Sequence, residues 1–439
     1  MITSYWCEKA WLPDGLAAGV VVRAGDNGLI SEVVSAQRPP LGARRLPGLV
    51  FPGFANAHSH AFHRALRGRT HADGGTFWTW REAMYRLAER ITPESYLRLA
   101  TAVYAEMAVA GFSCVGEFHY LHHAADGKPY DDPNTMGHAL REAAAAAGLR
   151  MTLLDTCYLA GGVGVALVGP QLRFTDGSAD GWAHRLSLSR DDATTRVGAA
   201  IHSARAVPRD QLADVVAGAG ADRPLHVHLS EQPAENETCI EAYGQTPAEL
   251  LHEAGALSPR TTAVHATHLT VDDRRLLGNS RTTACFCPTT EADLADGIGP
   301  ARELADSGCP LSLGSDQHVV IDPLLEAQTL ERGERLRTGE RGRFTPAELV
   351  TASTRDGHAS LGWPGAGRIA VGAPADLVAV RLDSARTAGC AAEQVLLVAT
   401  SSDVDTVVVG GRIVASGGAH TRLGEIGPLY AAVMEELWQ

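Results

Sequence analysis

From about residue 50 to residue 314 the chain alternates between two kinds of segment, and this alternation restricts the fold more than any other feature. Short apolar runs at 113–118, 151–155, 197–201, 225–229, 262–265, 283–287 and 311–314 read as buried strands. Helical stretches with their own start signals separate them. Thr92 followed by Pro93 opens a helix that ends near Gly111, and Thr246 with Glu249 and Thr345 with Glu348 are capping boxes that open two more. The run Leu49, Val50 and Phe51, ahead of His58, supplies a further strand, which makes eight. Eight strands alternating with helices predict an α/β fold of the parallel (β/α)8, TIM-like kind.

The two ends are built differently. Strand-like runs with turns occupy 19–23 and 29–34, and the same style returns at 376–381 and 405–414. This predicts a small β-sandwich domain assembled from both termini, 1–49 and 366–439, the latter with a C-terminal helix. The barrel then covers 50–365. A length of 439 residues suits that division, because such barrels take roughly 250–320 residues.

Charge and cysteine usage narrow the partners. The chain has 51 acidic and 38 basic residues, a net charge of −13, which argues against nucleic acid or an anionic membrane surface. No apolar run reaches the ~18–20 residues needed to span a bilayer. The first ten residues lack a basic leader followed by an apolar core. Eight cysteines are spread thinly, and Cys285 and Cys287 lack the spacing of a redox or zinc pair. Reduced thiols and a cytoplasmic location are the expectation.

The chemistry gathers at the ends of the predicted strands, where barrels of this kind carry their active sites. His58 and His60 sit two apart, so on a strand their side chains share one face. His226, His228 and Glu231 follow the fifth strand, His265 and His268 the sixth, and Asp316 and His318 the eighth. Each has a bland reading: a lone histidine at a strand end is as a rule a hydrogen-bonded core residue, and Asp316 could cap the next helix. As a set they point to a catalytic metal site. His58, His60, His228 and Asp316 are the expected ligands, with Glu231 and His265 left for proton transfer. Nitrogen and carboxylate donors suit Zn2+ first, with Fe2+ and Mn2+ as alternatives. Such an ion lowers the pKa of a water from ~15.7 towards ~7. Glu231 can then move that proton to a leaving nitrogen, and His265 and Asp316 complete the catalytic set.

These residues resemble the amidohydrolase superfamily, whose barrel carries His-x-His on strand 1, histidines on strands 5 and 6 and an aspartate on strand 8. Many members bridge two metals with a carboxylated lysine on strand 4. The only lysines here, Lys9 and Lys128, fall outside that strand, so the resemblance implies a single metal ion. The segments AHSHAFHRAL (57–66), TFWTWREAMY (76–85), GEFHYLHH (116–123) and CPTTEAD (287–293) resemble the formimidoylglutamate deiminases of histidine degradation. That likeness implies hydrolysis of N-formimino-L-glutamate to N-formyl-L-glutamate and ammonia. It implies substrate contacts from Tyr120, His202 and Arg205, and a small dicarboxylate amidine as partner. A homodimer is the superfamily expectation. Arg205 suits a carboxylate, which a guanidinium grips with two hydrogen bonds. His63 stands where a glutamine is expected and is assigned to the substrate as well. Another amidine, a guanidino acid or a purine-like ring is the alternative substrate. The alternative class is a non-catalytic relative that keeps the barrel as an assembly or binding module; such a relative is expected to lose ligands, and here every ligand stands in place. Phe77, Trp78 and Trp80 read first as a helix packed on the barrel and second as a pocket wall. His119, His122 and His123 are assigned no metal.

Overall fold

The computed structural model describes residues 2–70 and 74–438. Eight parallel strands run in consecutive order: Phe54–Ser59, Phe112–His119, Arg150–Cys157, Thr195–Ser203, Leu225–Leu229, Thr261–His265, Thr283–Phe286 and Leu311–Leu313. Helices intervene, as the alternation predicts. The longest, Pro93–Ala110, starts at a Thr92/Ser95 capping box and stops at Gly111, whose φ of 110° favours glycine. A side chain there would also crowd Val378 Cγ1, 3.1 Å from a Cβ. The capping boxes at Thr246 and Thr345 open the helices Pro247–Glu253 and Pro346–Thr351.

The first and eighth strands close the barrel where the candidate ligands lie. Ser315 and Asp316 donate their amides to the carbonyl of His58, at 3.1 and 3.0 Å, and the His60 amide returns to the carbonyl of Asp316 at 3.1 Å. Gly314 permits this approach, because a Cβ there would sit 2.7 Å from His58 Cβ. Asn56 reinforces the seam by accepting from the Ser315 amide (3.0 Å) and donating to its hydroxyl (2.6 Å). Below it, the small side chains of Ala57, Val264, Cys285 and Cys287 form a compact buried group.

The other eight strands form a separate mixed sheet from both ends of the chain. Its order is Ala419–His420, Arg412–Ser416, Val404–Val409, Leu377–Val380, Arg44–Pro52, Thr3–Leu12, Gly15–Ala24 and Ile30–Ser35. The halves meet where Leu377–Val380 runs antiparallel to Arg44–Pro52, pairing Leu377 with Pro52 and Val380 with Leu49. Inward residues such as Tyr5, Val22, Leu46, Val50 and Leu377 close a second core.

Three readings of the sequence change. Leu49, Val50 and Phe51 belong to the terminal sheet, and the histidine-bearing strand is a separate element that begins at Phe54. Period-two alternation cannot tell which sheet a strand joins when both of its faces are buried. The run 405–414 is a hairpin turned at Gly410 and Gly411, with φ of 55° and 74°. Cys287 leaves its strand and caps the short helix Pro288–Asp293. Among the described residues, no helix is long and apolar enough to cross a membrane.

Candidate metal centre and active-site pocket

The parity of the first strand brings His58 and His60 to one side, and the neighbouring strand ends add partners. His228 Nε2 lies 3.1 Å from His58 Nε2 and 3.4 Å from His60 Nε2. Asp316 Oδ1 lies 3.5 Å from the first and 3.4 Å from the second of the His-x-His nitrogens. Asp316 is not a helix cap; Asp322 caps the next helix, Pro323–Thr338.

Tautomers decide what this cluster accepts. His60 Nδ1 is 2.9 Å from the Phe118 carbonyl, and His228 Nδ1 is 2.9 Å from the His202 carbonyl. A carbonyl only accepts, so both Nδ1 atoms carry the proton and both Nε2 atoms present bare lone pairs. Bare lone pairs 3.4 Å apart, with a carboxylate oxygen alongside, repel each other unless a cation lies between them. Burial reinforces the neutral state: it holds His58 and His228 well below the usual histidine range, and burial together with His58 pushes His60 down to about 3. The donor set is that of a divalent-metal site.

The two candidate proton-transfer groups, Glu231 and His265, flank it. His265 ends the sixth strand with φ of 69° and lines the pocket. Its Nε2 is 3.7 Å from Glu231 Oε1 and 4.0 Å from Asp316 Oδ2, and its Nδ1 is 3.4 Å from Glu291 Oε1. Burial opposes its charged form, but the Glu231 charge and the Glu291 contact hold it well above the usual range. Burial pushes Glu231 up, against the pull of His265 and Arg205. The other histidines of these motifs are structural. His226 meets the Ser360 carbonyl at 3.0 Å, His268 meets the Asp296 carbonyl at 2.7 Å, and His318 is tied to Ser59 and Ser315. His122 and His123 bind the Thr156 carbonyl and Asp176.

Three of the candidate ligands, His60, His228 and Asp316, line a pocket whose wall includes His63, Tyr120, His202 and Arg205. His63 Nε2 and Tyr120 Oη are 2.8 Å apart. His202 packs on the Tyr158 ring at 4.5 Å between centroids. Arg205 is half-buried against Glu231 at 3.4 Å and Glu235 at 3.5 Å. Phe77 and Trp80 do line the pocket, as part of the helix Phe77–Arg90, while Trp78 is exposed.

The sequence reading missed Arg81, Tyr158, Glu235, Glu291 and Asp296. Arg81 had a signal: with Phe77, Trp80, Met84 and Tyr85 it occupies positions i, i+3, i+4, i+7 and i+8 of one helix face, and all five line the pocket. Its guanidinium stacks on Trp78 at 4.5 Å. It also missed Glu117, whose carboxylate binds the Ser59 hydroxyl (2.6 Å) and the Ala61 amide (2.7 Å) beneath the His-x-His pair. Neither lysine reaches the site, since Lys9 lies in the terminal sheet and Lys128 pairs with Asp126 on the surface.

A profile of the Amidohydrolase family matches residues 49–414. The chain belongs to the amidohydrolase family and is a hydrolase acting on C–N bonds. A formimidoylglutamate deiminase of Pseudomonas aeruginosa is 35% identical over 456 aligned residues, which cover 99% of this chain and 100% of that protein. An 8-oxoguanine deaminase of the same organism is 29% identical, covering 90% of this chain and 89% of its own. Among solved structures, an amidohydrolase from Brucella melitensis superposes with a TM-score of 0.91 at 31% identity, over 100% of both chains. An adenosine deaminase from Xanthomonas campestris with bound zinc shares the fold, with a TM-score of 0.84 at 22% identity over 99% of this chain and 97% of its own.

Proposed function

We propose that this chain hydrolyses N-formimino-L-glutamate to N-formyl-L-glutamate and ammonia, with one zinc ion held by His58, His60, His228 and Asp316. One observation carries the reading: a floor of converging metal donors lies in the same pocket as two arginines, Arg81 and Arg205. The substrate has an amidine-like carbon to be attacked and two carboxylates to be gripped. Bound at that floor, a divalent ion supplies the Lewis acidity that lets a water ionise near neutral pH. Glu231 receives the proton of the attacking water and delivers it to the departing nitrogen. Its raised pKa suits the second transfer, and its 3.7 Å approach to His265 keeps the two groups in one relay. His265 orients the water and stabilises charge on the tetrahedral carbon's oxygen. Arg205 binds one carboxylate and Arg81 the other, with Tyr120, His202 and His63 packing along the chain between them. Pairing of Arg205 with two carboxylates, Glu231 and Glu235, fixes its direction before substrate arrives.

Ammonia release from N-formimino-L-glutamate by the metal-loaded protein tests the assignment, and silence on that substrate ends it. The aromatic wall of Phe77, Trp80, Tyr120 and Phe174 favours a second reading, in which a flat purine-like ring stacks in the same pocket. Arg205→Met separates the two. It lowers kcat/KM about 30- to 1,000-fold for a diacid, since a largely desolvated charge-assisted pair contributes about 2–4 kcal/mol, and much less for a neutral ring.

A further inference from the structure

A second group of donors lies against the first centre. Ligand atoms of Glu231, His265 and Asp296 all fall within 4.8 Å of one another, and all three residues are buried. Asp296 comes from the loop after the seventh barrel strand, between Ala295 (φ 58°) and Gly297 (φ 112°). It is 2% exposed; the Gln232 amide donates to its Oδ1, and its Oδ2 is buried with no hydrogen-bond partner among the described residues. An idle carboxylate oxygen in a dry site is a strong demand for a cation or a proton.

Charge makes the demand larger. His265 faces Glu231, Glu291 and Asp316, and the nearby guanidinium of Arg205 is already divided between Glu231 and Glu235. Burial first, and then the Glu231 charge, push Asp296 up to about 9. One imidazole and two carboxylates form a donor set that zinc and similar divalent ions accept. Donors around tetrahedral zinc stand ~3.3–3.6 Å apart, since each bond is ~2.0–2.2 Å. The His265 to Glu231 separation of 3.7 Å is nearly there.

We propose that Glu231, His265 and Asp296 form a second, weaker divalent-cation site, and that filling it inhibits the enzyme by immobilising the groups that carry the proton. The binding claim stands on the donor geometry alone; the inhibition claim rests on the reaction proposed above. The second ion binds more weakly because it has fewer donors than the first and is repelled by the ion already at the pocket floor.

Full-length protein carrying its first equivalent is dialysed against graded Zn2+ at pH 8, and bound zinc is counted by mass spectrometry. Wild type takes a second equivalent with at least tenfold lower affinity, and Asp296→Asn and Asp296→Ser keep the first equivalent and lose the second. In the same samples, ammonia release from N-formimino-L-glutamate is compared at one equivalent and at tenfold excess zinc. Excess zinc lowers the rate at least tenfold in wild type and leaves each variant at its own one-equivalent rate. Wild type saturating at one equivalent, or a variant still taking two, overturns the site, and a protonated Asp296 then accounts for its environment. Two equivalents without inhibition overturn the regulatory half. Absence of turnover at every zinc level counts against the substrate reading, while the stoichiometry still decides the site.

Discussion

The barrel rim and the terminal sheet meet the same backbone demand with different residues. At the rim, six non-glycine residues hold left-handed backbone angles: Ser230 (φ 50°), His265 (69°), Ala266 (48°), Ala295 (58°), Asp316 (42°) and His318 (61°). In the terminal sheet, every described residue with positive φ is a glycine, including Gly48 (71°), Gly410 (55°) and Gly411 (74°). An L-residue in that region costs on the order of 1–2 kcal/mol. The terminal sheet avoids that cost, and the rim accepts it at two of its proposed working residues. The rim also buries a dense set of histidines and carboxylates, whereas the core of the terminal sheet is apolar. Residues at the rim are therefore set by chemistry, and those of the terminal sheet by stability.

Four substitutions test that contrast. His228→Ala has the largest effect: activity falls on the order of 10⁴-fold or more and the tightly bound metal is lost together with it, while the circular dichroism of a folded barrel remains. Metal retained at full stoichiometry would break the ligand assignment. Glu231→Gln lowers kcat by about 10²–10⁴-fold with the tight metal equivalent in place. In wild type, the base form of Glu231 is lost as pH falls, and its raised pKa puts that acid limb of kcat/KM above the ordinary glutamate value. The variant lacks the limb.

Gly48→Ala sharpens the other side. Its φ is positive, and a Cβ would lie 2.1 Å from the Val380 carbonyl oxygen, so the seam between the two halves of the sheet must open. A loss of about 3 kcal/mol or more is expected by denaturant unfolding, with the tight metal equivalent unchanged. The smallest effect belongs to Glu117→Gln. Burial pushes the Glu117 carboxyl up to about 7, so its protonated form is favoured by folding. Its contribution is fully present below about 4.5 and is lost as pH rises through 7, which lowers stability by about 3 kcal/mol across that window. Glu117→Gln flattens that part of the profile; an unchanged slope in urea melts would exclude Glu117 as its source.

Much of this was legible in the chain. Seven of the eight barrel strands, the helix from Pro93 to Ala110 and the residues that converge at the rim follow from apolar runs, capping signals and the spacing of histidines. Strand ownership was not legible, because Leu49, Val50 and Phe51 are buried on both faces whichever sheet they join. Glu235, Glu291 and Asp296 were invisible for another reason. An acidic residue in the first turn of a helix, as Glu235 and Glu291 are, or on a loop, as Asp296 is, reads as solvated until the fold places it beside His265 or Arg205, and nothing local marks it as buried.

The sequence by itself determined which donors exist, that His58 and His60 share a face, and that no lysine is available to bridge metals on the fourth strand. Only the tertiary structure decided how these donors are charged and aimed. Closure of the first strand on the eighth brings Asp316 to the histidine pair, carbonyls from other strands set the imidazole tautomers, and burial shifts the proton affinities. Those effects depend on distance in space and on exclusion of water, quantities that residue order does not contain.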